Sequence, residues 1–299
     1  MKHESFMKED TAMLAVARQR IRNNNKVEPD TTIIDIGDGV KIGGNRIVIM
    51  AGPCSVESKE QIISIAKEIK KMGVSILRGG AYKPRTSPYE FQGLGREGLE
   101  YLKCASRVTG LKIVTEVLDP RNVELVTSFA DILQIGTRSM QNYPLLREVG
   151  NTRTPVLLKR GMSATYKEFL LAAEYIMVGG NERVMLCERG IRTLVNELRF
   201  TLDLSAVPYL KQRTHLPIIV DPSHGTGDAS LVIDMGKAAI ACGADGLLLE
   251  THLHPQESKS DAAQTISTDE LKRAILGLAR IAEAVGRKID GGDSEDLPR

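Results

Sequence analysis

The strongest constraint on the fold is an alternation, repeated eight times from residue 47 onward, of short apolar runs with longer helix-like segments. The runs are rich in Ile, Val and Leu and cover residues 47–50, 75–77, 112–114, 132–135, 156–158, 184–186, 218–220 and 247–249. Continuous apolar runs are typical of strands that are covered on both faces, as in parallel sheets. Because parallel strands need a crossover connection, usually a helix, the sequence predicts a series of strand–helix units.

The segments between the runs have the apolar spacing of amphipathic helices. Apolar residues recur at i, i+3, i+4 spacing between 62 and 72 and between 271 and 281, where Ser267 or Thr268 can cap the helix start. Eight such units allow the sheet to close, so we predict an α/β protein with a (β/α)8 (TIM) barrel; a doubly wound open sheet is the alternative. A barrel needs roughly 250 residues. The chain has 299, so one barrel with a short extension fits.

The first 46 residues do not follow this alternation. Residues 1–46 are predicted to be an N-terminal extension, 47–288 the catalytic barrel and 289–299 a C-terminal tail. Lys8 to Arg22 could form a charged helix, and Thr31 to Ile42 could form a hairpin or a plug for the barrel floor. Such a short extension is not expected to fold as an independent domain.

Composition and charge limit the partners. The formal net charge is +2, from 40 basic and 38 acidic residues, which gives no general reason to expect nucleic acid or a membrane surface as a partner. The first 25 residues lack the apolar core of a signal peptide, and no stretch approaches the length of a membrane span. The four cysteines form no CxxC pair, so we expect thiols or metal ligands rather than disulfides. These features predict a soluble, cytoplasmic protein.

Ionisable or metal-binding residues follow all eight apolar runs. In chain order they are Cys54; Arg78 with Lys83 and Arg85; Glu116; Arg138; Lys159 with Arg160; Glu188 with Arg189; Asp221 with His224; and Glu250. The helix-to-strand joints at the opposite ends are mostly small or apolar. Because the active site of such barrels is built on the carboxyl-terminal face, this one-sided pattern predicts an active site there.

Six cationic side chains would converge on that face. They are Arg78, Lys83, Arg85, Arg138, Lys159 and Arg189. Like charges repel, so the site is expected to bind anions, and a phosphate of about −1.5 to −2 charge accepts bidentate bonds from Arg. Two phosphorylated ligands would offset this excess of positive charge well.

Four possible metal ligands come from strands that only a closed barrel makes neighbours: Cys54, His224, Glu250 and Asp261. Sulfur, nitrogen and oxygen donors together suit one divalent ion such as Mn²⁺, Fe²⁺, Co²⁺ or Zn²⁺ rather than Ca²⁺. Taken singly, each residue also has an ordinary structural explanation, such as packing for a cysteine or a turn for an aspartate.

Long motifs at the strand ends resemble those of the 3-deoxy-D-arabino-heptulosonate 7-phosphate (DAHP) synthases, in the small microbial class related to 3-deoxy-D-manno-octulosonate (KDO) 8-phosphate synthase. The motifs are Ala-Gly-Pro-Cys-Ser at 51–55, Leu-Arg-Gly-Gly-Ala-Tyr-Lys-Pro-Arg-Thr-Ser-Pro at 77–88, Gln-Ile-Gly at 134–136, Leu-Lys-Arg-Gly-Met-Ser at 158–163, Cys-Glu-Arg-Gly at 187–190 and Val-Asp-Pro-Ser-His at 220–224. The resemblance extends from residue 47 to about 285.

The resemblance implies a transferase that condenses phosphoenolpyruvate with D-erythrose 4-phosphate in the shikimate pathway, which leads to chorismate and the aromatic amino acids. It implies Cys54, His224, Glu250 and Asp261 as metal ligands, and a phosphoenolpyruvate clamp of Arg78, Lys83, Arg138, Lys159 and Arg189, with Asp221 also in the substrate-binding set. Lys83-Pro84-Arg85-Thr86 is similar to the segment that receives the aldose phosphate; the octulosonate enzymes typically read Asn-Arg-Ser at 84–86. Lys83, Lys159, Glu116, Cys54 and His224 are the implied catalytic residues, and whether Lys159 or Glu116 handles the proton steps stays open.

The sequence departs from the family pattern at a few positions. Gly227-Asp228-Ala229 replaces an arginine pair, Leu253 and His254 replace a proline and an acid, and Phe200 stands where Asn is common. None of these positions is a proposed ligand, but they affect expectations about the sugar-phosphate end of the site.

Three other functions compete with this interpretation. A KDO 8-phosphate synthase would use arabinose 5-phosphate, and a Schiff-base aldolase would use Lys159 as its nucleophile. A non-catalytic barrel that binds phosphorylated effectors or a partner enzyme is the third, although the intact set of four candidate ligands argues against it. Barrels of this kind are often oligomeric, so we expect a homo-oligomer, either a dimer or a tetramer.

Overall fold

The computed structural model describes residues 31–291. Its strands are β1 (Ile34–Gly37), β2 (Val40–Ile42), β3 (Arg46–Gly52), β4 (Ile76–Arg78), β5 (Lys112–Glu116), β6 (Ile132–Ile135), β7 (Val156–Lys159), β8 (Val184–Glu188), β9 (Ile218–Val220), β10 (Gly246–His252), β11 (Ile266–Ser267) and β12 (Lys288–Ile289). Its α-helices are α1 (Lys59–Lys71), α2 (Arg96–Thr109), α3 (Val123–Thr127), α4 (Tyr143–Gly150), α5 (Tyr166–Val178), α6 (Ala206–Lys211), α7 (Pro222–Thr226), α8 (Ala229–Ala241) and α9 (Thr268–Ala284).

Strands β3 to β10 form a closed parallel barrel. Each pairs in parallel with the next along the chain, and β10 pairs with β3 to complete the ring. In that closing pair Glu250 lies opposite Gly52. All eight apolar runs of the sequence fall within or overlap these strands, so the predicted (β/α)8 barrel is confirmed and the open-sheet alternative is wrong.

The helices form the outer layer, and their apolar faces pack against the outward side chains of the strands in one large cluster. In α1 the buried residues are Ile62, Ile65, Ala66 and Ile69, which is the stripe that the sequence pattern predicts. Helix α9 begins after Ser267, whose side chain accepts a hydrogen bond from the Glu270 backbone N–H in a reciprocal capping box. These helices leave the carboxyl-terminal ends of the strands open for a site.

The antiparallel hairpin β1–β2 covers the amino-terminal end of the barrel. Ile34, Ile36 and Ile42 belong to the same buried cluster as inward-facing barrel residues such as Val48 and Ile219. Lys112 Nζ, at the start of β5, donates to Asp38 Oδ2 in the hairpin turn at 2.6 Å. The hairpin therefore closes the floor of the barrel and fits the hairpin or plug expected for residues 31–42; the helix expected at 8–22 lies outside the described residues.

The packed part of the chain extends slightly beyond residue 288. Strand β12 pairs in parallel with the start of β3, and the Asp290 backbone N–H donates to the Ile47 carbonyl at 2.8 Å. The Asp290 side chain accepts a hydrogen bond from Ser75 Oγ at 2.9 Å. Ile289 and Asp290 are thus anchored, although the tail was predicted to start at 289. Within residues 31–291, none of the helices has the length and apolar character needed to cross a bilayer.

Candidate active site

A cavity of about 290 Å³ opens at the carboxyl-terminal face of the barrel. All six predicted cations line it: Arg78, Lys83, Arg85, Arg138, Lys159 and Arg189. Arg199 is a seventh cation in the lining, and Pro84, Thr86, Glu116 and His224 are also present. A polar cavity with so many converging cations is suited to small ligands that carry several negative charges.

Cys54, His224, Glu250 and Asp261 meet beside this cavity. One donor atom from each lies within 4.8 Å of the other three. Cys54 Sγ is 3.1 Å from Asp261 Oδ2, and His224 Nε2 is 3.3 Å from Glu250 Oε1. Barrel closure explains the meeting, because the β3–β10 pairing places Gly52, two residues before Cys54, opposite Glu250, and α7 carries His224 from the neighbouring β9.

The electrostatics of this cluster fit a divalent cation. Burial raises the pKa of the Cys54 thiol to about 12, and the nearby Glu250 carboxylate adds to the increase. Lys83 Nζ lies 2.9 Å from the sulfur and opposes that shift. Although burial opposes it, His224 and Arg78 hold the pKa of Glu250 below its usual value. A thiolate, an imidazole and two carboxylates are the donors that Mn²⁺, Fe²⁺, Co²⁺ or Zn²⁺ accepts, and the cation would offset their negative charge.

Asp221 lies behind the cavity and orients two residues of the site. Its Oδ2 accepts hydrogen bonds from Lys159 Nζ at 2.5 Å and from His224 Nδ1 at 2.7 Å. Although its burial acts in the opposite direction, His224 and Lys159 hold the pKa of Asp221 well below its usual value. The bond to Nδ1 leaves His224 Nε2 directed at Cys54, Glu250 and Asp261, the arrangement that an outer partner gives a histidine in metal sites. Asp221 is fully buried and lies outside the cavity lining, and its substrate-binding role stays a prediction.

Two buried arginines retain hydrogen-bonding capacity. Arg78 Nη1 donates to Glu250 Oε1 at 2.7 Å and to the Pro53 carbonyl at 2.8 Å. Arg189 lies over the Phe200 ring, with its guanidinium carbon 4.1 Å from the ring centroid. The Nε atoms of both arginines are buried without a hydrogen-bond partner among the described residues. Stacking fixes the plane of the Arg189 guanidinium, and its Nη atoms donate to the Gly190 and His224 carbonyls, so the charged group is held in place at the cavity lining.

Glu116 is the buried carboxyl group in the cavity lining. Burial raises its pKa, against the opposing effect of Lys83 and Lys159. Gln134 Nε2 donates to Glu116 Oε2 at 3.3 Å. A Cβ at Gly136 would lie 1.8 Å from Glu116 Oε1, so any larger residue there would displace the carboxyl group. A carboxyl group with a raised pKa between two lysines can exchange a proton with a bound reactant.

Three residues near the site were missed by the sequence analysis. Arg199 contacts Asp261, Gln264 contacts Glu250, and Glu90 at the cavity rim pairs with Arg85 at 2.5 Å. All three lie in loops beyond the strand ends, where charged and amide residues are common. Only the tertiary structure distinguishes them from ordinary loop residues.

Relatives in sequence are named as aldolases of two phosphorylated sugar acids. The model of the DAHP synthetase I family matches residues 21–285. A phospho-2-dehydro-3-deoxyheptonate aldolase of Thermotoga maritima is 48% identical over 267 residues, which cover 89% of this chain and 79% of that protein. A 2-dehydro-3-deoxyphosphooctonate aldolase of Koribacter versatilis is 29% identical over 267 residues, covering 82% of this chain and 95% of that protein.

Solved structures agree with these relatives. A crystal structure of the phospho-2-dehydro-3-deoxyheptonate aldolase (DAHP synthase) of Thermotoga maritima matches with a TM-score of 0.85 and 49% identity, covering 88% of this chain and 76% of that one. A truncated form of the Thermotoga maritima enzyme matches with a TM-score of 0.82 and 45% identity, covering 88% and 97%. The family resemblance seen in the strand-end motifs is therefore confirmed: the chain belongs to the DAHP synthetase I family and is an enzyme of the transferase type.

Proposed function

We propose that this enzyme condenses phosphoenolpyruvate with D-erythrose 4-phosphate and water to give DAHP and inorganic phosphate, with one divalent metal ion as cofactor. The observation that carries the proposal is the meeting of seven cationic side chains and the cluster Cys54, His224, Glu250 and Asp261 at one cavity. Two phosphate groups and a carboxylate match this excess of positive charge. The name of the Thermotoga maritima relative supports the same product.

Phosphoenolpyruvate is assigned to the inner part of the cavity. Its phosphate and carboxylate would take the charges of Arg189, Arg138 and Lys159, with Arg78 and Lys83 completing the clamp. Holding both anionic groups fixes the orientation of the enol carbon that forms the new bond. Such alignment supplies much of the entropic part of the rate acceleration.

The aldose phosphate is assigned to the rim formed by residues 83–86. Pro84, Arg85 and Thr86 line the cavity there and offer a guanidinium and a hydroxyl group to a phosphate. The aldehyde end of the sugar would then face the metal-ligand cluster. An ion held by Cys54, His224, Glu250 and Asp261 would polarise the aldehyde oxygen as a Lewis acid.

Glu116, Lys83 and Lys159 are the groups proposed for the proton steps. The new C–C bond leaves an alkoxide that needs a proton, and the water that adds to C2 must release one. Glu116 has a raised pKa and lies near both lysines, so it can exchange protons with either reactant. The Asp221 carboxylate binds the Lys159 ammonium group at 2.5 Å. An ammonium group is not a nucleophile, so this contact disfavours a Schiff-base mechanism.

An assay of phosphate release tests the proposal. Purified protein with phosphoenolpyruvate and Mn²⁺ or Co²⁺ is expected to consume erythrose 4-phosphate much faster than arabinose 5-phosphate, and a chelator should stop the reaction. A preference for arabinose 5-phosphate would instead support the KDO 8-phosphate synthase alternative, which the octulosonate relatives keep open. Activity that a chelator leaves intact would contradict the metal requirement.

The variant Cys54→Ala tests the ligand set. Alanine supplies no ligand, so bound metal and activity are both expected to fall by at least about tenfold. Metal content by elemental analysis and the rate of phosphate release are the measurements. Cys104→Ala is the matched control, because Cys104 is a free cysteine on α2, away from the cluster. Equal metal content in the Cys54→Ala and Cys104→Ala proteins would remove Cys54 from the site.

A further inference from the structure

Arg199 lies on the long loop between β8 and α6 and is fixed against the helix that carries His224. Its backbone N–H donates to the Thr226 carbonyl at 3.2 Å. Gly227, which ends α7 in a left-handed conformation with φ +73°, is required there, because a Cβ would lie 2.4 Å from the Arg199 Cβ. The side chain of Arg199 is thereby held beside the metal-ligand cluster.

The Arg199 guanidinium binds the outer oxygen of Asp261. Nη1 donates to Asp261 Oδ1 at 3.1 Å, while the other oxygen, Oδ2, is 3.1 Å from Cys54 Sγ. The two oxygens thus have separate partners, one facing the arginine and one facing the cluster. Asp261 has a φ of +53°, a conformation that costs a non-glycine residue energy and needs support from its surroundings.

Gln264 extends the same contact to Glu250. The glutamine is 2% exposed; its Oε1 accepts from Arg199 Nη1 at 2.7 Å and its Nε2 donates to Glu250 Oε2 at 2.6 Å. An arginine only donates and a carboxylate only accepts, so both neighbours require the same orientation of the amide. Since Glu250 Oε1 accepts from Arg78, both oxygens of Glu250 are held by N–H donors.

We propose that Arg199, acting with Gln264, is a positioning residue that holds the two carboxylate ligands of the metal site. The inference rests on the proposed function, in which Asp261 and Glu250 bind the ion. The arginine side chain is 37% exposed, so its ion pair with Asp261 adds little to the stability of the fold. Outer partners of metal ligands nevertheless change metal affinity by about 10- to 100-fold when they are removed.

Binding of Co²⁺ alone, without substrates, tests the proposal. The full-length protein is stripped with a chelator and titrated with Co²⁺, and the thiolate-to-cobalt absorption band reports the bond to Cys54. Competition with a chelator of known affinity gives the dissociation constant. Arg199→Gln and Gln264→Leu are each expected to weaken Co²⁺ binding by about tenfold or more. Arg199→Lys keeps the charge but not the planar fork, so it should fall between wild type and Arg199→Gln.

Arg192→Gln is the matched control, since Arg192 is an exposed arginine on the same loop and its loss changes the net charge equally. Its Co²⁺ affinity is expected to equal that of wild type. In the double variant Arg199→Gln/Gln264→Leu the loss should be smaller than the product of the two single losses, because both act through one network. Circular dichroism and the unfolding temperature show that each variant is folded.

Wild-type Co²⁺ affinity in a folded Arg199→Gln protein would overturn the proposal, as would an equal loss in Arg192→Gln. A wild-type protein that shows no thiolate band would overturn both the metal site and the role of Arg199. A failed erythrose 4-phosphate assay, with normal Co²⁺ binding that Arg199→Gln weakens, would contradict the proposed substrate and support the positioning role.

Discussion

At the residue scale, the rim of the cavity contains an acid that competes with the proposed substrate. Glu90 Oε2 accepts from Arg85 Nε at 2.5 Å, and its side chain is 46% exposed. A sugar phosphate that binds Arg85 would meet a second anion on the same guanidinium. Glu90 therefore weakens the attraction of this end of the cavity for phosphate.

The variant Glu90→Gln removes this competing charge. We expect the KM for erythrose 4-phosphate to fall by up to about fivefold, because partly exposed pairs contribute about 0.2–1 kcal/mol. The KM for phosphoenolpyruvate should not change. Steady-state kinetics against each substrate is the measurement, and Glu100→Gln, whose acid pairs with Arg96 on an exposed helix face, is the control. An unchanged or higher KM for the aldose phosphate would refute the competition.

Whether a site residue could be predicted from the sequence depends on whether it directly follows a barrel strand or lies farther along a loop. The six cations and Cys54, His224 and Glu250 follow apolar runs that are visible in the sequence, so the barrel fixes their common face. Arg199, Gln264 and Glu90 reach the site through loop conformations that no local pattern encodes. Phe200 was noted only as a departure from the family, and its stacking with Arg189 emerges from the folded loop.

At the element scale, the hairpin β1–β2 acts as the floor of the barrel. The glycines at 37 and 39, which both have positive φ, fit the expected hairpin, and the barrel floor was anticipated as a place for it, but the residues that it contacts were not. The contact is made with inward-facing residues from many strands, which are distant in sequence. Helix α7 was not predicted, because its five residues are too few to show a helical period.

The variant Ile42→Ala tests the hairpin. Ile42 is fully buried in the inner cluster, so truncation should lower the free energy of unfolding by about 2–5 kcal/mol through lost burial and a cavity. Urea unfolding measures the change, and kcat in the absence of urea should stay close to wild type because the site is at the opposite face. Ile33→Ala, at a side chain that is 57% exposed, should change stability by less than about 0.5 kcal/mol. Comparable losses in both variants would show that the hairpin is not a packed floor.

At the scale of the whole molecule, the proposed ion would lie across the seam where the barrel closes. Cys54 follows the first barrel strand, Glu250 is on the last, and the β3–β10 pairing joins them. Cys54 is thus separated from the other three ligands by most of the barrel sequence and meets them only when the ring is complete. A ligand that binds the closed barrel and not the unfolded chain stabilises it by about 2.7 kcal/mol at 100 times its dissociation constant.

Because the ligands exist as a set only in the closed ring, metal binding should raise the unfolding temperature of the entire barrel in a single transition. For a domain of this size each kcal/mol corresponds to roughly 2–4 °C, so saturating Co²⁺ or Mn²⁺ should raise Tm by about 5–10 °C. Calorimetry of the full chain with and without the ion measures the shift. Cys54→Ala should lose most of it, whereas Cys104→Ala should retain it. An equal increase in both cysteine variants would mean that the ion stabilises the protein from some other place, and that the seam and the metal site are not coupled.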